Sequence, residues 1–323
     1  MASKFCTIIF DKPNNVYHPG DTLSGKIVIG LQKPKDIKGI RVHHRGSSET
    51  SWEDSTFESG SVGNIKVMIY AAEEVYFDTI SYCTEGGNSE LITLGRGKHV
   101  FKFSYDLPHK LPSSYKGEVG RISYFTEVTF ERSWRKDQKL RSEFQITSGY
   151  DLNVFPELKN PTQSLVDKRF CCWCCSSGPL QANVLVPKTG YLCGERIDVA
   201  VEVDNASRVD IGAISLKFQE FTIFYGTYLA EAPKKVARVY EEIQLGGVKA
   251  NASKAFKKSF IIPKGLPNSC IYESAIIKPE YQISLEISPG AFRKLLKASI
   301  PIKIGTIGFN KGTRNGIEIF KTV

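Results

Sequence analysis

The densest concentration of reactive side chains in this 323-residue chain is Cys171-Cys172-Trp173-Cys174-Cys175, which holds four of its eight cysteines. Thiols at that density suggest a metal, a disulfide or an acyl attachment. A tetrahedral zinc site leaves two or more residues between paired cysteines, a spacing these contiguous pairs lack. Adjacent cysteines cannot all bridge one another without strain, and the spaced framework of a small secreted domain is missing. Palmitoylation of Cys171, Cys172, Cys174 and Cys175 fits a stretch beside Lys168 and Arg169, because an acyl chain and nearby cations together hold a protein at a membrane. The competing reading is a hinge packed between domains with Trp173 as its plug. All five histidines, His18, His43, His44, His99 and His109, fall in the first half, and none sits in a nucleophile or metal motif. On a strand, His43 and His44 point to opposite faces and cannot chelate one ion. No enzyme is expected, and no catalytic, cofactor-binding or metal residue is assigned.

The formal net charge of +9 suggests an acidic partner. Cations cluster modestly at residues 33–38, 41–45, 132–141 and 254–258. Lys33, Lys35, Lys38, Arg41 and Arg45 are the preferred set for anionic lipid or a phosphorylated tail, being dense and near one strand. The plainer reading of each cluster is a solvated face. No base-stacking motif or basic helix accompanies the charge, so no nucleic acid is expected.

The elements that must position these residues read as strands. Residues 26–29, 99–105, 123–130, 198–203 and 299–304 are rich in alternating β-branched and aromatic side chains. Turn signals separate them at Pro19-Gly20-Asp21, Gly86-Gly87-Asn88, Asp204-Asn205 and Gly246-Gly247. The best helical candidate is the polar stretch 163–168. No apolar run approaches the ~18–20 residues that span a bilayer, and the first residues lack a signal-peptide pattern, so a cytoplasmic location is expected. The glycosylation sequons at Asn205 and Asn251 then read as chance matches.

Two motifs recur in order. Tyr17-His18-Pro19-Gly20-Asp21-Thr22-Leu23 returns as Tyr191-Leu192-Cys193-Gly194-Glu195-Arg196-Ile197. Phe101 to Ser114, with its Leu107-Pro108 and Leu111-Pro112, returns as Phe256 to Ser269, with Ile262-Pro263 and Leu266-Pro267. Each proline stops a strand, since it cannot continue a central ladder. An ordered pair of repeats at this separation signals a duplicated domain, not a short solenoid repeat. The expected organisation is a first domain at 1–152, a linker at 153–178, a second domain at 179–305 and a short tail at 306–323.

These residues resemble the animal α-arrestins, the arrestin domain-containing proteins. Leu107-Pro108, Leu111-Pro112-Ser113-Ser114-Tyr115 and Gly117 are similar to that family's Leu-Pro stretch, and residues 120–128 to the strand after it. Asp151-Leu152-Asn153 and the run from Cys171 to Leu180 resemble its inter-domain segment, while residues 189–205 and 300–307 resemble the start and last strand of its second domain. The resemblance implies an all-β chain: two tandem immunoglobulin-like β-sandwiches (arrestin fold) joined by a short hinge. It implies an adaptor that binds transmembrane cargo, a receptor or transporter, and links it to ubiquitination and endosomal sorting, peripheral to plasma membrane or endosomes. Family members recruit a WW-domain ubiquitin ligase through Pro-Pro-x-Tyr. This sequence contains no Pro-Pro dipeptide, so any ligase would be reached indirectly. The alternatives are a retromer-like coat subunit, which shares the two-sandwich plan, and a thioredoxin-binding type of redox or metabolic regulator. The turn comparable to the latter's reactive cysteine, near 246–253, has no cysteine, and Cys270 beyond it reads as a packed residue.

Overall fold

The computed structural model describes residues 5–57, 65–84, 91–132, 137–172, 175–269, 274–290 and 294–310. In chain order the strands are β1 (Phe5–Phe10), β2 (Val16–Tyr17), β3 (Thr22–Leu31), β4 (Lys35–Ile37), β5 (Gly39–Phe57), β6 (Ile65–Tyr82), β7 (Ile92–Leu94), β8 (Gly97–Asp106), β9 (Tyr115–Lys116), β10 (Gly120–Glu131) and β11 (Gln138–Ile146). After two short 3-10 turns, Leu152–Val154 and Pro156–Lys159, come β12 (Thr162–Cys172), β13 (Cys175–Val186), β14 (Gly190–Leu192), β15 (Arg196–Asn205) and β16 (Ile211–Thr227). The last four are β17 (Glu231–Val248), β18 (Ala252–Ile261), β19 (Ile277–Ser288) and β20 (Leu296–Gly305). Among the described residues no helix is long and apolar enough to cross a membrane.

The chain divides into two compact units. The first comprises residues 1–148, 221–237 and 270–279, and the second 149–220, 238–269 and 280–323. In the first, a three-stranded sheet β1-β3-β8 faces the run β6-β5-β10-β11-β2, with β9 on β10 and a separate β4-β7 pair. In the second, β12-β13-β15-β18 faces β14-β20-β19-β16, with β17 on β16. Strand alternation sends one set of side chains inward. The first core gathers Tyr17, Ile27, Ile40, Phe103, Tyr124 and Phe144, and the second Tyr191, Ile197, Phe218, Phe260, Tyr281 and Ile300.

The duplication is visible contact for contact. Gly20 and Gly194 adopt φ of 83° and 86°, a region open to glycine. Leu107 N–H donates to the Asp21 carbonyl at 2.9 Å, and Ile262 N–H to that of Glu195 at 3.0 Å. The acid that follows each glycine accepts from the residue three before it, Asp21 from His18 N–H and Glu195 from Leu192 N–H. Tyr124 donates its hydroxyl to the Pro112 carbonyl at 2.7 Å, and Tyr281 to that of Pro267 at 2.8 Å. Ser114 and Ser269 each accept from a strand end, Ile146 N–H and Ile304 N–H. The strands after the Leu-Pro turns therefore close each sandwich by the same buried polar contacts, which repay the desolvation of the groups they join.

Four expectations change. The stretch 163–168 is extended, not helical: it lies in β12, whose Val166 and Phe170 point into the second core while Gln163, Leu165 and Asp167 point out. Most of the stretch expected as a linker at 153–178 is thus sheet. β12 and β13 pair from Thr162↔Val186 to Cys172↔Cys175, because the alternating apolar side chains have a core to enter. Gly246-Gly247 is no turn but an irregularity inside β17: Gly246 has φ 81°, and a Cβ on Gly247 would stand 2.4 Å from the Ile211 carbonyl oxygen. The residues expected to begin a free tail are also tied down. Thr306 N–H donates to the Tyr150 carbonyl at 2.9 Å, Ile307 bridges Asp151, and Asn310 N–H donates to Asn153 Oδ1 at 2.9 Å. Asn205, the residue of one sequon, is buried. Its amide donates to the Val209 and Lys249 carbonyls at 2.8 and 2.9 Å, so it is a loop anchor. The turn expected at Gly86-Gly87-Asn88 lies outside the described residues.

Candidate binding surface

The five cations singled out by their density are not one free patch. β5 presents Arg41, His43 and Arg45 on one side of the sheet, and its neighbours supply acids to them. Arg41 Nε lies 3.3 Å from Glu131 Oε1 on β10. Arg45 is paired with both Glu73 and Asp78 of β6, and His43 Nε2 sits 2.7 Å from Asp78 Oδ1. Lys35 is half-buried on β4, at the edge of a small apolar pocket floored by Ile29, Leu31, Ile37 and Leu94. Only Lys33 and Lys38 are well exposed. His44, on the opposite face of β5, is buried with its ring stacked on Tyr105 at 5.2 Å and Nδ1 2.9 Å from Thr126 Oγ1. Burial, with a smaller contribution from the neighbouring His43, depresses its pKa to about 4.

A different set of cations is free. On the outward face of β1-β3-β8, the register sets Ile9, Lys26 and Lys102 in one row and Thr7, Val28 and Val100 in the next, with Lys98 beyond them opposite Gly30. Lys26, Lys98 and Lys102 are exposed, and none of them forms an ion pair among the described residues. The row continues off the sheet: Leu31 pairs with Gly97, so Lys33 and Arg96, both exposed, leave the same strand ends on adjacent turns. Acids of this face lie on the side away from Lys98: Asp11, one row from Lys26, accepts from Ser24, and Asp106, two rows away, from Thr22. Sequence density missed this group because its members come from strands more than seventy residues apart. The legible signal was the spacing of Lys98, Val100 and Lys102, which alternation puts on one face.

The corresponding sheet of the second unit carries acids at its centre, with Lys257 in the row beyond them. Asp167, Gln181, Asp204 and Ser253 share one outward row, and Leu165, Asn183, Glu202 and Ala255 the next. Asp167 accepts from Gln181 at 3.0 Å and Asp204 from Ser253 at 2.8 Å. Among the described residues main-chain edges are open as well: β1 pairs along one side only, with β3, and β12 and β18 end their sheet.

The described cysteines offer no activated thiol. Burial raises the pKa of Cys6 to about 11 and raises that of Cys83, while the Cys193 thiol donates to the Leu266 carbonyl at 3.6 Å. Cys174 and Cys270, and the side chains of Cys171, Cys172 and Cys175, lie outside the described residues. The proposed palmitoylation set therefore has no structural account. Among the described residues no three His, Cys, Asp or Glu side chains converge as metal ligands.

Two stacked sheets in each half, antiparallel except where the short β2 and β14 pair in parallel, and tied by the same turn and tyrosine contacts, define a duplicated β-sandwich protein. The family description "Arrestin (or S-antigen), N-terminal domain" matches residues 6–153, and "Arrestin (or S-antigen), C-terminal domain" matches residues 176–309. The chain belongs to the arrestin family, among the arrestin domain-containing proteins. It is 28% identical to human Arrestin domain-containing protein 4 over 310 residues, which is 94% of this chain and 72% of that protein. It is 29% identical to Arrestin domain-containing protein 17 of Caenorhabditis elegans over 305 residues, 93% of this chain and 70% of the relative. Mouse Thioredoxin-interacting protein is more distant, 22% identical over 304 residues, 93% of this chain and 72% of the relative.

Proposed function

We propose that this chain is an arrestin-like adaptor that binds the cytoplasmic part of a membrane protein and brings it to ubiquitination and endosomal sorting machinery. What carries the reading is the family match to both domains, in order along the chain. Open strand edges support it: an extended cargo segment can add to β1, β12 or β18 with main-chain hydrogen bonds, while neighbouring side chains select its sequence. These 323 residues hold no Pro-Pro-x-Tyr motif, so a ligase that engages them would be reached through a second protein. Working there requires residence, at least transient, at plasma membrane or endosomes.

The name of the mouse relative raises thioredoxin as a partner for this chain too. The raised thiol pKa values of Cys6 and Cys83 count against a thiolate-mediated contact at those positions. Affinity capture from a detergent extract of the protein's own cells tests the choice. A receptor or transporter recovered with a ubiquitin ligase supports the adaptor. A fixed coat complex without cargo replaces it with the coat-subunit reading, and a thioredoxin released by reductant replaces it with the redox reading.

A further inference from the structure

Lys26 and Lys102 stand directly opposite each other on β3 and β8. Like charges so placed weaken a sheet; the row toward Lys98 holds no acid to relieve them, and Asp11, in the row on the other side, is engaged by the Ser24 hydroxyl. The arrangement therefore gains free energy from an anion supplied from outside. Branched apolar side chains lie among the lysines: Ile9, in the Lys26 row, is 41% exposed, and Val100, between Lys98 and Lys102, is 50% exposed. The outward positions of the sheet hold lysines and no arginine, so they present mobile point charges in place of planar forks for bidentate phosphate recognition.

We propose that the outward face of β1-β3-β8 is a docking surface for an anionic phospholipid bilayer. Lys26, Lys98 and Lys102 meet the headgroups, Lys33 and Arg96 extend the cationic rim, and Ile9 and Val100 enter the headgroup–acyl boundary. Exposed lysines alternating with exposed aliphatics form the mixed surface that an interfacial protein offers a membrane, each lysine reaching outward from an apolar stem. The acids Asp11 and Asp106 stand one and two rows from Lys26 on the side away from Lys98, so the end that carries Lys98 and Lys102 is the one that approaches. This inference stands apart from the adaptor reading, because cargo capture can survive its failure.

The test is flotation of the full chain with vesicles of phosphatidylcholine, with and without phosphatidylserine. Binding is expected only with phosphatidylserine and is expected to weaken as salt is raised. Each lysine removed from the set K26Q, K98Q and K102Q should weaken it about fivefold. Ile9→Ser with Val100→Ser should weaken it while preserving the salt dependence. The triple variant K254Q, K257Q and K258Q, which removes equal charge from β18, should bind like the wild type. Circular dichroism of every variant should match the wild type, these positions being exposed. Absence of binding, or binding retained by the β1-β3-β8 lysine variant, overturns the proposal. So does lysine-dependent capture of a phosphorylated peptide without capture of vesicles, which would assign the face to a protein ligand.

Discussion

The two sandwiches share their skeleton and differ in their outer faces. Gly20 and Gly194 share a positive φ, and Asp21 and Glu195, Tyr124 and Tyr281, Ser114 and Ser269 occupy equivalent positions and make equivalent bonds. The outward sheet of the first unit is cationic at Lys26, Lys98 and Lys102, whereas that of the second carries Asp167, Glu202 and Asp204 at its centre with one lysine, Lys257, in the row beyond. Buried polar contacts resist change because losing one partner strands the other away from water. An exposed position carries little such penalty, so surface charge can diverge between copies while the closing contacts persist. Function is then to be sought where the copies differ, and stability where they agree.

The largest expected effect tests the agreement. Tyr124→Ala and Tyr281→Ala each remove a fully buried ring and the bond to a Leu-Pro turn, and each should cost about 3–5 kcal/mol. Urea unfolding of the full chain measures both. A loss below about 1 kcal/mol at either position would break the equivalence of the two closures.

The next effect separates the units, because His44 has no histidine counterpart in the second. Its folded pKa of about 4 lies below the usual 6.5, so the folded state disfavours its protonation. The stability it permits is complete above pH 6.5 and is lost progressively as the pH falls toward 4, by about 3 kcal/mol in all. Urea midpoints across that range should fall less steeply for His44→Leu than for the wild type. Parallel pH profiles would show that the buried imidazole does not govern acid sensitivity.

Much of this was legible before any coordinates. The strand alternation, the proline-stopped strands and the paired Tyr-x-x-Gly-acid motifs are local, and local geometry carries them into the fold unchanged. The binding face was not legible, because Lys26 and Lys102 become neighbours only through strand register. Conversely, the dense run from Lys33 to Arg45 looked like a patch because the sequence does not show that Glu73, Asp78 and Glu131 lie across from Arg41 and Arg45. Residues 163–168 misled for a related reason. Their polar members alternate with Val166 and Phe170, and only the presence of a core on one side reveals that the period is two.

Smaller changes sharpen the comparison at the repeated turn. Gly20→Ala and Gly194→Ala force a side chain into positive φ and should each cost about 1–2 kcal/mol in thermal or urea unfolding. A Cβ at Gly20 would also stand 2.5 Å from the His109 ring, whereas at Gly194 the nearest side chain, Lys264, is 3.8 Å away. The first substitution should therefore be the worse of the two unless the exposed His109 ring swings aside, which Gly20→Ala combined with His109→Ala would reveal as equal costs.

The smallest effect belongs to the cation that braces each turn. Lys12 pairs with Asp21 and lies 4.9 Å from the centre of the Tyr17 ring, while Lys188 pairs with Glu195 at 2.9 Å and lies 4.5 Å from that of Tyr191. The hydrogen bond from Lys12 is the main reason the Asp21 carboxyl titrates below its ordinary value. All four charged side chains are nonetheless 30–41% exposed, so water and salt screen both pairs. Lys12→Ala and Lys188→Ala should each cost less than about 1 kcal/mol, with the difference from wild type shrinking as salt is added. A salt-independent loss at either lysine would place its contribution in the packing of its stem on the tyrosine ring. The repeated lysine would then belong with the glycine and the tyrosine among the contacts that close each sandwich.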